Sequence, residues 1–160
     1  QDNDYSVCTT WRVYKTGYYL IDGWMDKLEF PDLKRQMILQ NNLHSPDTIL
    51  VEDKASGQDL IPTLKKDTTL PILAIQVDRD KTSRANSCTP TIEAGNAYLP
   101  EDNKFASQLV EQCSGFPSLK NDDIVDSLTQ FLNWIRQFSN KEPVFHSLPR
   151  REINNLLQGY

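Results

Sequence analysis

The chain has 160 residues and a formal net charge of -5, with 38% hydrophobic and 24% charged residues. That length suits one domain with a substantial core, and no apolar run approaches the roughly 18 residues that a membrane span needs. The negative charge argues against a protein that coats nucleic acid through its overall charge. A nucleic-acid enzyme stays compatible with it if the acidic residues gather at a metal site and basic residues surround them.

The three cysteines are far apart and outside any CxxC spacing, at Cys8, Cys88 and Cys113. An odd number in this pattern predicts reduced, partly buried thiols of a cytoplasmic protein rather than a disulfide framework or a zinc site. The sequence opens with Gln1 where a methionine is expected, so we expect the chain to be a piece of a longer protein or a processed product.

The first third of the sequence predicts a β-hairpin followed by a helix. Residues 5–14 (YSVCTTWRVY) and 18–25 (YYLIDGWM) are rich in β-branched and aromatic types and flank a short turn at Thr16-Gly17. From Phe30 the apolar residues follow helical spacing, and a Ser-Pro-Asp stretch at residues 45–47 ends that helix.

The middle of the chain alternates strands and helices, which predicts an α/β sheet. Residues 48–52 (TILVE) and 70–77 (LPILAIQV) are short apolar runs, typical of strands buried on both faces. The helix predicted between them, at residues 56–66, takes Ser56 as its N-cap and is shortened or kinked by Pro62. We expect the hairpin and these two strands in one mixed sheet, antiparallel and parallel, with helices on its faces.

The last part of the chain contains one strongly amphipathic helix, predicted at residues 122–138, whose apolar residues recur at steps of four and three. Before it we predict an irregular polar segment at 78–95, an edge strand at 96–100 and a helix around 105–113. This pattern predicts one domain over residues 1–139, followed by a linker and a short helix over 140–160.

The first candidate cluster closes the predicted strand at residues 48–52. A carboxylate at the carboxyl end of a parallel strand points toward the crevice where α/β sheets bind ligands. Glu52 and Asp53 are adjacent and face opposite sides, so at most one points into a given site. Lys54 could contact a phosphate, and Ser56-Gly57 could offer backbone N–H groups at a helix start. The alternative is an acidic turn followed by a helix cap.

The second candidate cluster, NDDIVD, opens the late helix. Helical spacing brings Asp126 near both Asp122 and Asp123. The alternative is that Asn121 caps the helix while the acids complement its dipole. That explanation weakens at Asp126, one turn further in and beside apolar residues. Carboxylates in two such clusters would suit Mg²⁺, and two ions roughly 3.5–4 Å apart can clamp a phosphodiester.

A basic set lies between the two acidic clusters. It comprises Arg79, Lys81 and Arg84, with Lys54, Lys65 and Lys66 as possible neighbours. Such charges belong either to a solvated face or to a surface that contacts phosphates, and the spacing leaves both alternatives open.

Four ordered motifs carry a resemblance to a known family. VEDKASGQDLI, DRDKTSRA, TIEAGNAYLP and FPSLKNDDIVDSLTQFLNWI occur in the same order as in the phage terminase large subunits. Over roughly residues 4–137 the chain resembles their C-terminal nuclease domain, which has a ribonuclease H-like fold, and DYSVCTTW followed by GYYLIDGW resembles its first hairpin.

The resemblance implies a metal-dependent endonuclease that cuts concatemeric viral double-stranded DNA in the host cytoplasm, using Mg²⁺ or Mn²⁺ as two ions. It implies an upstream ATPase domain, a small terminase subunit and a portal as partners, and no membrane. The family's acid at this strand end matches Glu52, and its Asp pair matches Asp122 and Asp123, with Asp126 close behind as a further metal ligand. We expect Lys54, Lys81 and Arg84 to contact the DNA backbone. The acidic residues and these basic residues together define the expected site.

The resemblance also implies a further catalytic Asp on an earlier strand, before the position of DYS. Asp2 and Asp4 are the nearest acids, and the sequence leaves open whether one of them or a residue upstream fills that role. The second hypothesis is therefore a non-catalytic docking or structural module, such as a decayed prophage would encode.

Overall fold

The structure, a computed structural model of the chain, describes residues 4–54, 56–77, 79–119 and 121–139. The predicted tail at 140–160 lies outside these residues, as does Asp2. In chain order the described elements are β1 (Ser6–Tyr14), β2 (Gly17–Asp26), α1 (Phe30–His44), β3 (Ile49–Glu52), α2 (Ser56–Asp67), β4 (Ile72–Ile75), α3 (Lys81–Glu93), β5 (Ala97–Tyr98), α4 (Lys104–Gly115) and α5 (Asp123–Ser139). No helix among the described residues is both long enough and apolar enough to cross a membrane.

The predicted hairpin and edge strand are confirmed. β1 and β2 pair antiparallel with a bulge between Thr10 and Trp11, and β5 adds to β2 in parallel at the outer edge. The tight turn depends on Gly17, whose φ of +148° disfavours a side chain and whose added Cβ would lie 2.7 Å from the carbonyl oxygen of Asn96.

The prediction of one continuous sheet is wrong for the described residues. Their hydrogen bonds form a three-stranded sheet, β1-β2-β5, and a separate parallel pair, β3-β4, joined by α2. An apolar run marks a segment as a strand but does not say which edge it meets, because pairing depends on how the elements are placed in space. The mixed α/β architecture with antiparallel and parallel strands flanked by helices is confirmed.

Two apolar clusters lie on opposite faces of the hairpin. The larger one packs α3, α4 and α5 against Leu20 of β2, around the fully buried Ile124 and Leu132. The smaller one packs α1 and α2 against Trp24 of β2 and Ile72 of β4. Trp24 and Met25, which are neighbours in β2, belong to different clusters, as the alternation of side chains along a strand requires.

Helix α5 contacts both sheets. The hydroxyl groups of Thr9 in β1 and Ser127 are 2.8 Å apart, and Gln130 Nε2 donates to Glu52 Oε2 of β3 at 2.9 Å. The two sheets are therefore held under one helix although no ladder between them is present in the described residues.

The helix α3 was not predicted, because its segment is polar and contains Pro90. Asp80 caps it by accepting from the backbone N–H of Ser83 at 3.0 Å, and Cys88 is fully buried on its inner side, where its thiol donates to the carbonyl of Thr129. Burial against α5 thus stabilises a segment of weak helix propensity. All three cysteines are free, as predicted, and burial raises the pKa of the Cys8 thiol to about 11.

The boundaries of three elements that frame the predicted site differ from the predictions. The strand predicted at 70–77 is limited to Ile72–Ile75, and α2 continues through Pro62 and includes Ser56 as a helical residue rather than preceding it. The amphipathic helix begins at Asp123, so Asp122 and not Asn121 lies directly before it.

The start of α5 is fixed by a buried side chain of α4. Gln112, which is 9% exposed, accepts from the backbone N–H of Ile124 at 3.0 Å through its Oε1. That N–H is one of the donors that the first turn of a helix leaves without an intrahelical partner.

We expect Gln112→Leu to lower the free energy of unfolding by about 1–3 kcal/mol, because the buried Ile124 N–H loses its acceptor. Urea denaturation followed by circular dichroism measures the change. Glu111→Ala, at the exposed neighbouring position, is the control and should change stability by less than about 0.5 kcal/mol. Equal stability of the Gln112 variant and the parent chain would contradict this role.

Candidate functional site

The predicted acidic residues lie on one side of the sheets. Glu52 ends β3 and is bonded to Gln130 of α5, while Asp123 and Asp126 occupy the first turn of the same helix. With a rise of 1.5 Å per residue, Gln130 lies roughly 6 Å along the helix axis from Asp126 and roughly 10 Å from Asp123. The structure therefore brings the two clusters to one helix but leaves them separated along it.

A pair of basic side chains from α3 neutralises two of the aspartates. Lys81 Nζ lies 2.6 Å from Asp122 Oδ1 and 2.8 Å from Asp126 Oδ2, and Arg84 donates through a terminal nitrogen to Asp126 Oδ1. The Arg84 side chain is 12% exposed and the Lys81 side chain 47%, so the arginine pair is the better shielded from water. Two of the residues predicted to contact DNA are thus bound to two of the predicted metal ligands.

Two pKa values respond to this crowding. Burial raises the pKa of Asp123, with the charges of Asp122 and Asp126 acting in the same direction and that of Lys81 opposing them. Burial alone would lower the pKa of Lys81, but the hydrogen bonds and charges of Asp122 and Asp126 outweigh it and leave that pKa raised. Asp123 is therefore a carboxyl group whose ionised form the fold disfavours, mainly through burial.

The donor chemistry of the set suits a hard divalent cation, since all four predicted ligands are carboxylates. Their arrangement does not form a metal centre: in residues 4–54, 56–77, 79–119 and 121–139, no group of three or more His, Cys, Asp or Glu side chains could hold an ion. Glu52 is turned to Gln130, and Lys81 occupies the space between Asp122 and Asp126. The roles of these four residues as metal ligands remain a prediction.

The other predicted basic residues divide between the two faces. Lys54 follows β3 and Arg79 precedes α3, and both are exposed at the carboxyl ends of the parallel strands. Lys65 and Lys66 lie in the last turn of α2, which packs with α1 on the face away from α5. The structure does not bring these two lysines to the acidic site.

The sequence analysis missed the polar residues of α5 that connect the acids to the rest of the fold. Gln130 follows Asp126 by one helical turn and binds Glu52, and Ser127 binds Thr9 of β1. The four-residue step from Asp122 to Asp126 to Gln130 is a signal that marks this stripe, because helical residues four apart lie on one face.

We expect Asp123→Asn to raise the melting temperature at pH 7 slightly, by about 2 °C or less. A carboxyl group whose folded-state pKa is raised destabilises the fold above that pKa, and this penalty disappears below the ordinary pKa, where the group is protonated in both states. The gain should therefore vanish in thermal melts at pH 3. Asp122→Asn, which removes a partner of Lys81, is the contrast and should lower the melting temperature at pH 7. A gain for Asp123→Asn that is independent of pH would contradict this explanation.

Comparisons with known proteins agree with this fold. The sequence model of a family described as the terminase RNaseH-like domain matches residues 1–134. No curated protein matches the chain. A solved structure of the human cytomegalovirus terminase nuclease domain, soaked with Mn and bound to an inhibitor, superposes with a TM-score of 0.56 at 12% identity, covering 79% of this chain and 74% of its own.

At that identity the viral structure establishes the fold alone, whereas the family match spans most of the chain. The predicted ribonuclease H-like fold is thereby confirmed. The chain belongs to the family of terminase ribonuclease H-like domains.

Proposed function

We propose that this chain is a metal-dependent endonuclease domain of a viral DNA-packaging terminase large subunit, which hydrolyses double-stranded DNA with Mg²⁺ or Mn²⁺. One observation carries the proposal: Glu52 at a strand end and Asp122, Asp123 and Asp126 at a helix start lie on the same side of the sheets, along α5. The raised pKa of Asp123 supports it, because a bound divalent cation would favour the ionised form that burial disfavours.

Cation binding at this site requires two local changes. Lys81 must leave Asp122 and Asp126, and Glu52 must exchange its bond with Gln130 for a position nearer the aspartates. Lys81 is half-exposed on the first turn of α3, so its ammonium group can swing to a DNA phosphate without disturbing the core. DNA binding and release of the carboxylates would then favour each other.

The proposal extends to the surroundings of the domain. An upstream ATPase domain in the full subunit, a small terminase subunit and a portal would bring concatemeric DNA to the site in the host cytoplasm. A bacteriophage or prophage source fits the motifs on which the resemblance rests.

A plasmid-nicking assay tests the nuclease. We expect slow cutting by the chain in Mn²⁺, weaker cutting in Mg²⁺ and none in EDTA. Glu52→Gln should reduce cutting in Mn²⁺ by at least about 100-fold, on the scale of losing one group that stabilises charge in the transition state. Asp53→Asn is the matched control, because the neighbouring carboxylate faces the other side of the strand end. Equal cutting by Glu52→Gln and the parent chain would contradict the catalytic role proposed for this residue.

A second candidate function is a non-catalytic docking or structural module. The pairing of Asp122 and Asp126 with Lys81 and Arg84 favours it, since neutralised carboxylates have less need of a metal. Calorimetric titration with Mn²⁺ separates the two candidates. Heat of binding that is present in the parent chain and disappears in Glu52→Gln supports the nuclease. A parent chain that shows no heat of binding supports the module.

DNA binding should depend on exposed cations of the acidic site's face. Lys54→Ala is a better probe than a change at Arg84, whose guanidinium also holds Asp126 and the carbonyl of Arg79. We expect Lys54→Ala to weaken binding about 2–5-fold on every sequence tested and to reduce the salt slope by about 0.9, as for one lost phosphate contact.

Fluorescence anisotropy with several 20-base-pair duplexes at two or more salt concentrations makes this measurement. The control is Lys65→Ala, on the opposite face of the sheets, which should leave both quantities unchanged. A selective loss for one duplex sequence would contradict backbone contact, because phosphates carry no base identity.

A further inference from the structure

A groove beside the acidic site has a composition unlike that of the chain as a whole. It has a volume of about 580 Å³ and runs between the end of β4, the start of α3 and the second half of α5. Three arginines line it, Arg79, Arg84 and Arg136, and none of its described lining residues is acidic, although the chain carries a net charge of -5. We name it the arginine groove.

The wall of the arginine groove is already held in place by hydrogen bonds. Ser87 Oγ lies 2.6 Å from Asn133 Oδ1, Asn133 Nδ2 donates to the carbonyl of Arg84 at 3.2 Å, and Arg136 donates to the carbonyl of Ser87. Such a network fixes the directions of the remaining donors before any ligand arrives, which reduces the entropy cost of binding.

Its cations are only partly used within the protein. The two terminal nitrogens of Arg84 donate to Asp126 and to the carbonyl of Arg79, while its buried Nε has no acceptor among the described residues. Arg136 spends one terminal nitrogen on Ser87, and both Arg136 and Arg79 are exposed to solvent. An anion in the groove would find guanidinium donors that can bind phosphate oxygens in pairs.

The remaining lining residues are suited to a nucleoside. Gln76 and Gln137 present exposed amides, each both donor and acceptor, which can pair with base edges, and Trp134 contributes an aromatic side chain to the wall. The volume lies within the range of small-ligand pockets and exceeds the needs of a lone phosphate. A base still paired in a duplex cannot enter a concave site of this kind.

The arginine groove adjoins the acidic site through shared side chains. Gln130 lines the groove and donates to Glu52, and Arg84 lines it and holds Asp126. A strand whose phosphate reached the carboxylates would therefore have a neighbouring nucleotide at the mouth of the groove.

We propose that the arginine groove binds one unpaired nucleotide of a DNA strand next to the cutting position, with the phosphate on Arg79 and Arg136 and the base toward the amides and Trp134. The identity of this ligand rests on the proposed nuclease function. Duplex distortion at the cut would supply the unpaired nucleotide, so the groove would favour sites where the strands separate easily.

The test measures binding of a 5′-labelled single-stranded tetradeoxynucleotide to the full chain by anisotropy in EDTA, where cutting does not occur. We expect Arg136→Ala and Arg79→Ala each to weaken binding about five- to ten-fold, the scale of one net hydrogen bond. Arg136→Lys should lose less, and Lys66→Ala, on the opposite face, should stay within about two-fold. Should Arg136→Ala fail to fold, the exposed Arg79 carries the test.

Two competitors identify what the groove recognises. Unlabelled dTMP should displace the tetranucleotide at concentrations at least about ten-fold below inorganic phosphate, since the nucleoside adds contacts. Equal competition by phosphate would reduce the groove to a simple anion site and overturn the assignment. A duplex of the same sequence that binds as tightly, and with the same loss in Arg79→Ala, would also overturn it.

The two proposals fail separately. Glu52→Gln should reduce plasmid cutting by at least about 100-fold, while the loss of tetranucleotide binding caused by Arg79→Ala should stay within about two-fold of its value in the parent chain, because Glu52 does not line the groove. If the Arg79 and Arg136 variants bind the tetranucleotide as tightly as the parent chain while cutting still depends on Glu52, the groove assignment is wrong and the nuclease assignment stands. If Glu52→Gln cuts as well as the parent chain while the arginine variants lose tetranucleotide binding, the nuclease assignment of Glu52 is wrong and the groove assignment stands.

Discussion

The fold depends on the contact of α5 with both sheets. The described strands do not form a continuous ladder from the hairpin to the parallel pair, so packing and side-chain bonds must hold the two together. Helix α5 does this through its apolar stripe, through Ser127 on β1 and through Gln130 on β3. Asp122 directly precedes the same helix, and Asp123 and Asp126 lie in its first turn. Any change in its position would therefore affect the core and the acidic site together.

Charge at the acidic site is balanced from within the chain. Helix α3 contributes Lys81 and Arg84, which offset Asp122 and Asp126, whereas Asp123 remains with a raised pKa. The cations stabilise the protein when no ligand is present, and under the proposed function the same side chains would contact DNA phosphates. An exchange of internal ion pairs for phosphate contacts would link DNA binding to exposure of the carboxylates.

The proposed nuclease centre and the arginine groove divide the substrate between them. Carboxylates at the end of β3 and the start of α5 would serve the reacting phosphate, and the guanidinium and amide groups of the groove would position the nucleotide beside it. Gln130 of α5 and Arg84 of α3 contact both regions, so the same two helices would position both parts of the substrate. In a chain with net negative charge, such a local concentration of arginine would permit the proposed contact with a polyanion.

The sequence by itself determined the element types of the hairpin, α1, β3, α4 and α5 through residue types and the pattern of apolar residues, which in β3 is a short continuous run. Ordered motifs were sufficient to identify the family. Helix α3 was not predicted because its sequence is largely polar. The burial of Cys88 stabilises it, and the pattern of the neighbouring residues does not indicate that burial. Only the tertiary structure decided that the strands divide into two sheets, that Lys81 and Arg84 pair with aspartates, and that Lys65 lies on the far face. Periodicity reports which side of an element is buried, whereas these features depend on which elements meet across long separations in the chain.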